Sequence, residues 1–457
     1  MNNSLHNSTQ DPIIKDNSLQ KEFNFIQLIK FSTPTIAMML FMSLYSVVDG
    51  IFVSRFIGTD ALSSLNIAYP LFNAIIAIGV MLGAGGSALI AKKMGEAEDE
   101  LARKYFSLII YTGIIIGTVI TILGAIFMKP LLTLLGATDA LMQGCMDYGF
   151  TLLLFTVPTI LQMLFQYLFI TAGKPHLGLS LIIFAGIANM IFDYIFIVPL
   201  DMGIAGAALA TGLGILVPAV VGMLYFTFNR KGSLYFTKTK PEFKILLKAC
   251  ANGSSEMVTE LSNAVITFLY NMVMLRLLGS DGVAAITILL YFDFMIKAAL
   301  LGFSMGVSPI ISYNYGSGNI AQIKRIFKYS FSFIIGCSLV LYTLSMLFIP
   351  TLTVIFAPEG SHVYELVIGG FKLYSISFLF TGISIFSSAL FTAFSNGLIS
   401  ATISFLRTFL FLSAGLIILP PLIGITGAWI SAAIAEGLCV LMSITFILKY
   451  RKRYKYV

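Results

Sequence analysis

Two carboxylates set within apolar runs are the residues of this chain best suited to chemistry. Asp49 stands in Leu44-Tyr45-Ser46-Val47-Val48-Asp49-Gly50-Ile51-Phe52-Val53, and Asp193 closes Asn189-Met190-Ile191-Phe192-Asp193. An ionisable side chain at the centre of a bilayer costs at least ~2.5 kcal/mol on insertion scales, so its presence marks a functional candidate. Tyr45 and Asn189 each precede an acid by four residues. On a helix that spacing shares one face, so each can hydrogen-bond its carboxylate directly or through water. Two acids in one such pocket favour a bound cation: H⁺, or Na⁺ with Asn189 and backbone oxygens completing a hard-oxygen shell. The structural alternative is a pair of acids that cap connectors or bind a neighbouring helix.

The elements that position these acids are membrane helices. Of 457 residues, 58% are hydrophobic and only 11% charged, which leaves too little polar surface for a water-soluble domain. Twelve apolar spans follow one another, at 28–53, 62–88, 106–127, 148–172, 177–198, 204–228, 246–278, 283–312, 327–348, 366–393, 399–419 and 425–447. Each reaches the ~20 residues that cross a bilayer core, and the absence of alternating ten-residue segments excludes a barrel. The expected fold is an all-α polytopic membrane protein of twelve transmembrane helices in two six-helix lobes. Residues 1–24 form an N-terminal arm, 25–228 an N-lobe, 229–244 a linker, 245–449 a C-lobe and 450–457 a basic tail. The arm reads as polar and mobile, with no small-residue cleavage site.

Charge sets the orientation. Of 28 Lys and Arg, 22 fall in or beside the arm, the 2–3, 4–5, 6–7 and 8–9 connectors and the tail, whereas Arg55, Lys129 and Arg276 lie at the opposite ends. That asymmetry predicts cytoplasmic termini in the cytoplasmic membrane, and it accounts for the net charge of +7 without nucleic acid as a partner. Cys145, Cys250, Cys337 and Cys439 are widely spaced, and His6, His176 and His362 lie in the arm or connectors. Neither a disulfide framework nor a metal-ligand spacing results. There is no nucleophile–His–acid grouping and no Gly-rich phosphate loop, so no enzyme and no cofactor are expected beyond the coupling ion.

A shift of 221 positions aligns the halves: Arg55, Gly58 and Asp60 fall on Arg276, Gly279 and Asp281, and Gly85, Gly95 and Phe106 on Gly306, Gly316 and Phe327. Thr171-Ala172 falls on Thr392-Ala393, and Pro199, Gly203 and Gly206 on Pro420, Gly424 and Gly427. Six spans per half make the repeat parallel, with a site between the lobes, an arrangement typical of transporters. Asp49 corresponds to Tyr270 and Asp193 to Ala414, so the titratable pair belongs to the N-lobe alone.

Other polar residues in the spans have two readings each. Asp293 and Lys297 are four apart in the favourable order for a pair, and Arg407 and Glu436 lie at comparable depth on spans 11 and 12; both pairs are structural or cavity-lining. Glu260, with Glu256 one turn earlier, is the C-lobe candidate for a cationic substrate. Asn66, Asn73, Gln162 and Gln166 repeat at helical spacing and serve as interhelical glue or cavity lining. Pro34 removes a backbone donor from span 1 and permits a kink there, a hinge or a packing device. Span 7 has Ser255 at the matching position.

Taken together, Ser32-Thr33-Pro34, Val48-Asp49 with Phe52-Val53, Gly58 and Ala61, the loop Lys93-Met94-Gly95-Glu96 ahead of Ala102, Gly173-Lys174-Pro175, and Asn189 through Asp193 ahead of Pro199 resemble the multidrug and toxic compound extrusion (MATE) family. The resemblance covers the chain after the arm. It implies a cation-coupled antiporter exporting organic cations and other amphipathic compounds, with Asp49 and Asp193 carrying the proton or Na⁺. The family's Na⁺-type branch keeps an acid in helix 10, whereas Phe371–Ala393 has none, which favours coupling in the N-lobe. A lipid-linked precursor flippase, a major-facilitator transporter and a non-transporting scaffold are the alternatives. The expected partners are small amphipathic or cationic molecules and membrane lipid, with a monomer as the working state.

The charge asymmetry carries a test. A single cysteine in residues 229–244, in a chain lacking the four native ones, is expected to resist an impermeant thiol reagent added outside intact cells; labelling from outside contradicts the topology.

Overall fold

The computed structural model describes residues 18–456 apart from Gly58; the side chains of residues 47–55 and 58–62 fall outside that description. Among the described residues there is no strand. In hydrocarbon no water satisfies backbone N–H and C=O groups, so helices close their own hydrogen bonds. The N-lobe comprises α1 (Phe25–Phe56), α2 (Thr59–Gly95), α3 (Asp99–Leu134), α4 (Asp139–Leu154), α5 (Thr156–Thr171), α6 (Pro175–Ile197) and α7 (Gly203–Phe228). The C-lobe comprises α8 (Phe243–Gly316), α9 (Ile320–Thr353), α10 (His362–Tyr374), α11 (Phe378–Ala393), α12 (Gly397–Ser404), α13 (Leu412–Ile423) and α14 (Ile425–Tyr454).

Ten helical stretches among the described residues are long and apolar enough to cross a membrane, and α4 with α5 forms one more span bent by 56°. The bend falls where Pro158, in the first turn of α5, has no N–H to donate to Leu154. α8 holds two of the twelve expected spans, joined at Gly279 with φ 65°. This is a multi-pass membrane protein. The helices run past the apolar spans at the linker end: α2 continues to Gly95, α9 starts at Ile320 and α14 reaches Tyr454.

The repeat extends into packing. In the N-lobe Phe106 and Phe165 both pack against Phe226. Their counterparts Phe327 and Phe386 also share an aromatic neighbour in the C-lobe, but it is Phe331, at the repeat position of Ile110 and not of Phe226. Gly203 and Gly424, equivalent in the repeat, both have positive φ, 56° and 63°, where the chain turns into the last helix of each lobe.

Glycines govern how the lobes meet. A Cβ on Gly85 of α2 would fall on the carbonyl oxygen of Ala249 in α8, and one on Gly253 of α8 on that of Met81. Nearer the linker the repeat makes the contact reciprocal. A Cβ on Gly95 would meet the Tyr313 carbonyl, and one on Gly316 the Lys92 carbonyl. On the other side, Gly302 and Gly306 of α8 take the backbone of Ile36 and the side chains of Ser32 and Thr35 from α1.

One expectation changes at the N-terminal end of the described chain. Residues 18–24 are docked rather than mobile: Leu19 is fully buried and Phe23 nearly so. Ser18 Oγ donates to the Gly173 carbonyl at 3.2 Å, Gln322 Nε2 donates to the Phe23 carbonyl at 3.1 Å, and Glu22 pairs with Arg325 at 3.3 Å. The arm therefore touches both lobes; residues 1–17 are outside the described residues. The tail is held too, with Tyr454 and Tyr456 buried against Phe394.

The backbone crossing generates a prediction. Gly85→Leu and Gly253→Leu force α2 and α8 apart, and overpacking of this kind costs about 1–3 kcal/mol. Each is expected to lower the melting temperature in detergent; an unchanged melting temperature for both contradicts the contact.

Candidate functional site

The N-lobe acids lie where α1, α6 and α7 converge. On α6, Asn189 and Asp193 are buried, at 4% and 1% exposure. Gly186, one turn before Asn189, lets α1 approach: a Cβ there would stand 2.6 Å from a Phe41 ring carbon and 3.4 Å from one of Tyr45. Gly214 of α7 does the same from the other side, within 3.0 Å of Asn189 Cβ. Asn189 Nδ2 is buried without a hydrogen-bond partner. The side chain of Asp49 lies outside the described residues, and its backbone is part of α1. α1 and α6 run in the same direction, so four residues beyond Tyr45 is the level between Asn189 and Asp193. From α5, Gln166 Nε2 reaches Met42 Sδ at 3.4 Å, and Gln162, one turn earlier, keeps a buried Oε1 without a partner.

A second group of polar residues spans the lobes. Asn73 Nδ2 on α2 donates to the Glu260 backbone carbonyl on α8 at 3.0 Å. Glu256 and Glu260 are both half-buried, and Tyr167 of α5 lies within electrostatic reach of both. Asn66, two turns before Asn73, is exposed and is not brought into this group. Ser255, the residue in place of a proline, is buried. It begins a chain of hydroxyls in which Thr392 Oγ1 follows at 3.3 Å, Ser400 at 2.7 Å, Ser388 at 2.8 Å and Ser404 at 2.9 Å. The amphipathic spacing of serines across three helices gave no sign of this chain, because its links are between elements.

The C-lobe charges divide. Asp293 and Lys297 form the pair their spacing predicts, at 2.7 Å. Arg407 and Glu436 do not form an ion pair: Arg407 Nη1 and Glu436 Oε2 are each buried without a hydrogen-bond partner. Arg407 sits in a π-helical stretch, Phe405–Phe411, and the wider turn carries the guanidinium off the register that equal depth assumed. Glu256 of α8 lies within its electrostatic reach. Tyr270, at the repeat position of Asp49, has a buried hydroxyl without a partner, and both it and Tyr374 lie within electrostatic reach of Asp293. The C-lobe thus has an aromatic and hydroxyl-lined counterpart to the N-lobe pocket.

The family model MatE matches twice, at residues 34–195 and 257–416, one copy in each lobe with nearly the offset of the sequence repeat. The multidrug export protein MepA of Staphylococcus saprophyticus is 25% identical over 455 residues, covering 96% of this chain and 98% of that protein. A solved structure described as the outward-facing conformation of a multidrug resistance MATE family transporter of the MOP superfamily superposes with a TM-score of 0.90 at 22% identity, covering 97% of this chain and 99% of that one. A MATE structure in the straight conformation gives 0.89 at 22% identity, covering 95% and 98%. With both lobes matched over most of their length, the chain belongs to the MatE family.

Proposed function

We propose that this protein is an antiporter that couples the entry of H⁺ or Na⁺ to the export of amphipathic organic cations, by alternating access. The observation that carries the reading is the placement of Pro34. Its neighbours Ser32, Thr35 and Ile36 are the residues of α1 that pack on Gly302 and Gly306 of the other lobe. The same helix runs on past Gly186 of α6 to the level of Asn189 and Asp193. A change of shape in α1 at Pro34 therefore alters the interlobe contact and the acid pocket together.

The cycle follows from that link. A cation arriving at Asp49 and Asp193 removes the repulsion between the acids and lets α1 repack. Repacking shifts the Ser32–Ile36 contact on α8, so the two lobes meet differently and the grip on a substrate weakens. A ligand moves such an equilibrium only by binding the two states unequally, and a shared helix supplies that inequality. Glu260 and Glu256 offer a substrate cation its attraction at the interface. The staphylococcal relative is a multidrug export protein, which supports the export of small drug-like compounds.

Asp49→Asn and Asp193→Asn are each expected to reduce uphill export at least ~100-fold while leaving expression unchanged. Asp49→Asn protein that transports at the wild-type rate in proteoliposomes sinks the coupling role. With ΔpH and a Na⁺ gradient imposed separately, one alone should drive transport. Glu260→Gln should weaken cationic substrates about tenfold and neutral ones little; equal losses for both count against its role.

A further inference from the structure

The repeat that builds the two lobes also builds two corners at their linker-side ends, and the corners treat their cations differently. In the N-lobe, Arg103 of α3 and Arg230 after α7 are occupied. Both guanidinium groups lie over the Tyr235 ring, at 4.3 and 5.4 Å from its centre. Arg103 Nε donates to the Ser233 carbonyl at 3.2 Å and Arg230 Nη1 to the Phe236 carbonyl at 2.8 Å. The linker folds back and satisfies them.

At the equivalent C-lobe corner, Lys324 replaces Arg103, and Arg451, Lys452 and Tyr456 replace Arg230, Lys231 and Tyr235. Here the outcome is the reverse. Tyr456 turns away from the cations and into the core, where its hydroxyl donates to the Ile447 carbonyl at 2.6 Å and its ring stacks on Phe327 and Phe394. Tyr454 is pinned beside it by Asn396 Nδ2, 2.9 Å from its hydroxyl. Between these two buried rings Lys455 takes a left-handed conformation, φ 54°, which keeps its own side chain exposed. Lys324, Arg451, Lys452 and Lys455, with Ile320, surround a cavity of about 340 Å³. Among the described residues none of the four side chains has an ion pair, a hydrogen bond or a ring partner. Glu22 of the docked arm is paired with Arg325, the residue after Lys324.

Below the cavity the surface is apolar. Leu441, Ile444 and Leu448 of α14 are exposed at 65%, 42% and 55%, and Lys452 follows Leu448 by one helical turn, so the stripe ends at the cations. A phosphate group bridging the basic residues with acyl chains along Leu448, Ile444 and Leu441 fits both halves of this surface. A free phosphate uses only the upper half. Basic pockets between helices at the membrane boundary recognise acidic headgroups in this way.

We propose that this corner is a binding site for an anionic phospholipid, held by its headgroup phosphate against Lys324, Arg451, Lys452 and Lys455. At the N-lobe corner Tyr235 and the linker carbonyls hold Arg103 and Arg230, and the pocket left there is smaller, about 130 Å³, with only Lys174 and Lys231 as basic residues in its lining.

The test uses the full-length protein, delipidated in detergent, with phosphatidylglycerol or phosphatidylcholine added and bound lipid counted by native mass spectrometry. The fourfold variant Lys324→Gln/Arg451→Gln/Lys452→Gln/Lys455→Gln is compared with Lys238→Gln/Lys240→Gln/Lys244→Gln/Lys248→Gln, which removes the same charge from the linker and the first turns of α8. The expected result is phosphatidylglycerol binding at least ~10-fold weaker in the first variant, near wild type in the second, and unaffected by about 10 mM inorganic phosphate. Equal loss in both variants, or loss in neither, overturns the site as diffuse attraction. Displacement by inorganic phosphate overturns the lipid assignment in favour of a free-anion site. If the fourfold variant is not monodisperse, Lys452→Gln/Lys455→Gln, at two exposed positions, is read by the same criteria with a loss of about threefold expected.

Discussion

Backbone packed on backbone is the contact that the arrangement of this molecule depends on. Where α2 crosses α8, Gly85 and Gly253 leave no room for a Cβ, and nearer the linker Gly95 and Gly316 repeat the motif with exchanged lobes. Lipid tails are as apolar as leucine, so helices in a bilayer associate through close van der Waals contact, which small residues permit. Such a contact is steep in distance and weak when displaced by an ångström. It suits the interface that the proposed cycle requires, firm in one state and absent in another. The contacts run from the arm and the ends of α2 and α8 to the Asn73–Glu260 hydrogen bond, so one face of the interface is sealed.

The proposed cation site lies in the N-lobe, where α1 packs on α6 beside the acids and, further back along its length, on α8 of the other lobe. Gly186 and Gly214 clear space around Asn189 for α1 and α7. Asn189 Nδ2 is buried there without a partner, and an orphaned buried donor costs about 1–3 kcal/mol until satisfied. The C-lobe pocket has Tyr270 in place of the acid, so the same architecture holds hydroxyls and an internal Asp293–Lys297 pair. Duplication supplied two scaffolds, and the residue types distinguish their work.

Most of the architecture was legible in the sequence, because hydropathy and a single repeat offset are one-dimensional signals. The twelve spans, the parallel lobes and the turn of lysine before Gly95 are written in order along the chain. What the sequence hid depends on partners from elsewhere. Leu19 and Phe23 are two apolar residues in a polar stretch, too few to mark docking, yet both are buried against the C-lobe. Tyr454 and Tyr456 look like part of a basic tail until Phe394 and Phe327 are brought beneath them. Arg407 and Glu436 match in depth, and only the π-helical turn reveals that they do not meet. At the candidate site, the spacing of Tyr45, Asn189 and Asp193 was readable, whereas Tyr167 and the hydroxyl chain through Thr392 are products of tertiary packing.

The docked arm has a mechanical meaning. Ser18 is bonded to the N-lobe at Gly173, and four to five residues later Glu22 and Phe23 are bonded to the C-lobe at Arg325 and Gln322. So short a tether between two bodies cannot stretch by more than about 3.5 Å per residue, and its buried Leu19 must leave the core before the bodies separate far. The arm therefore ties the two lobes together at the linker end. In the proposed cycle it would act as a bolt across that face, formed by a handful of residues apart from the candidate ion and substrate sites.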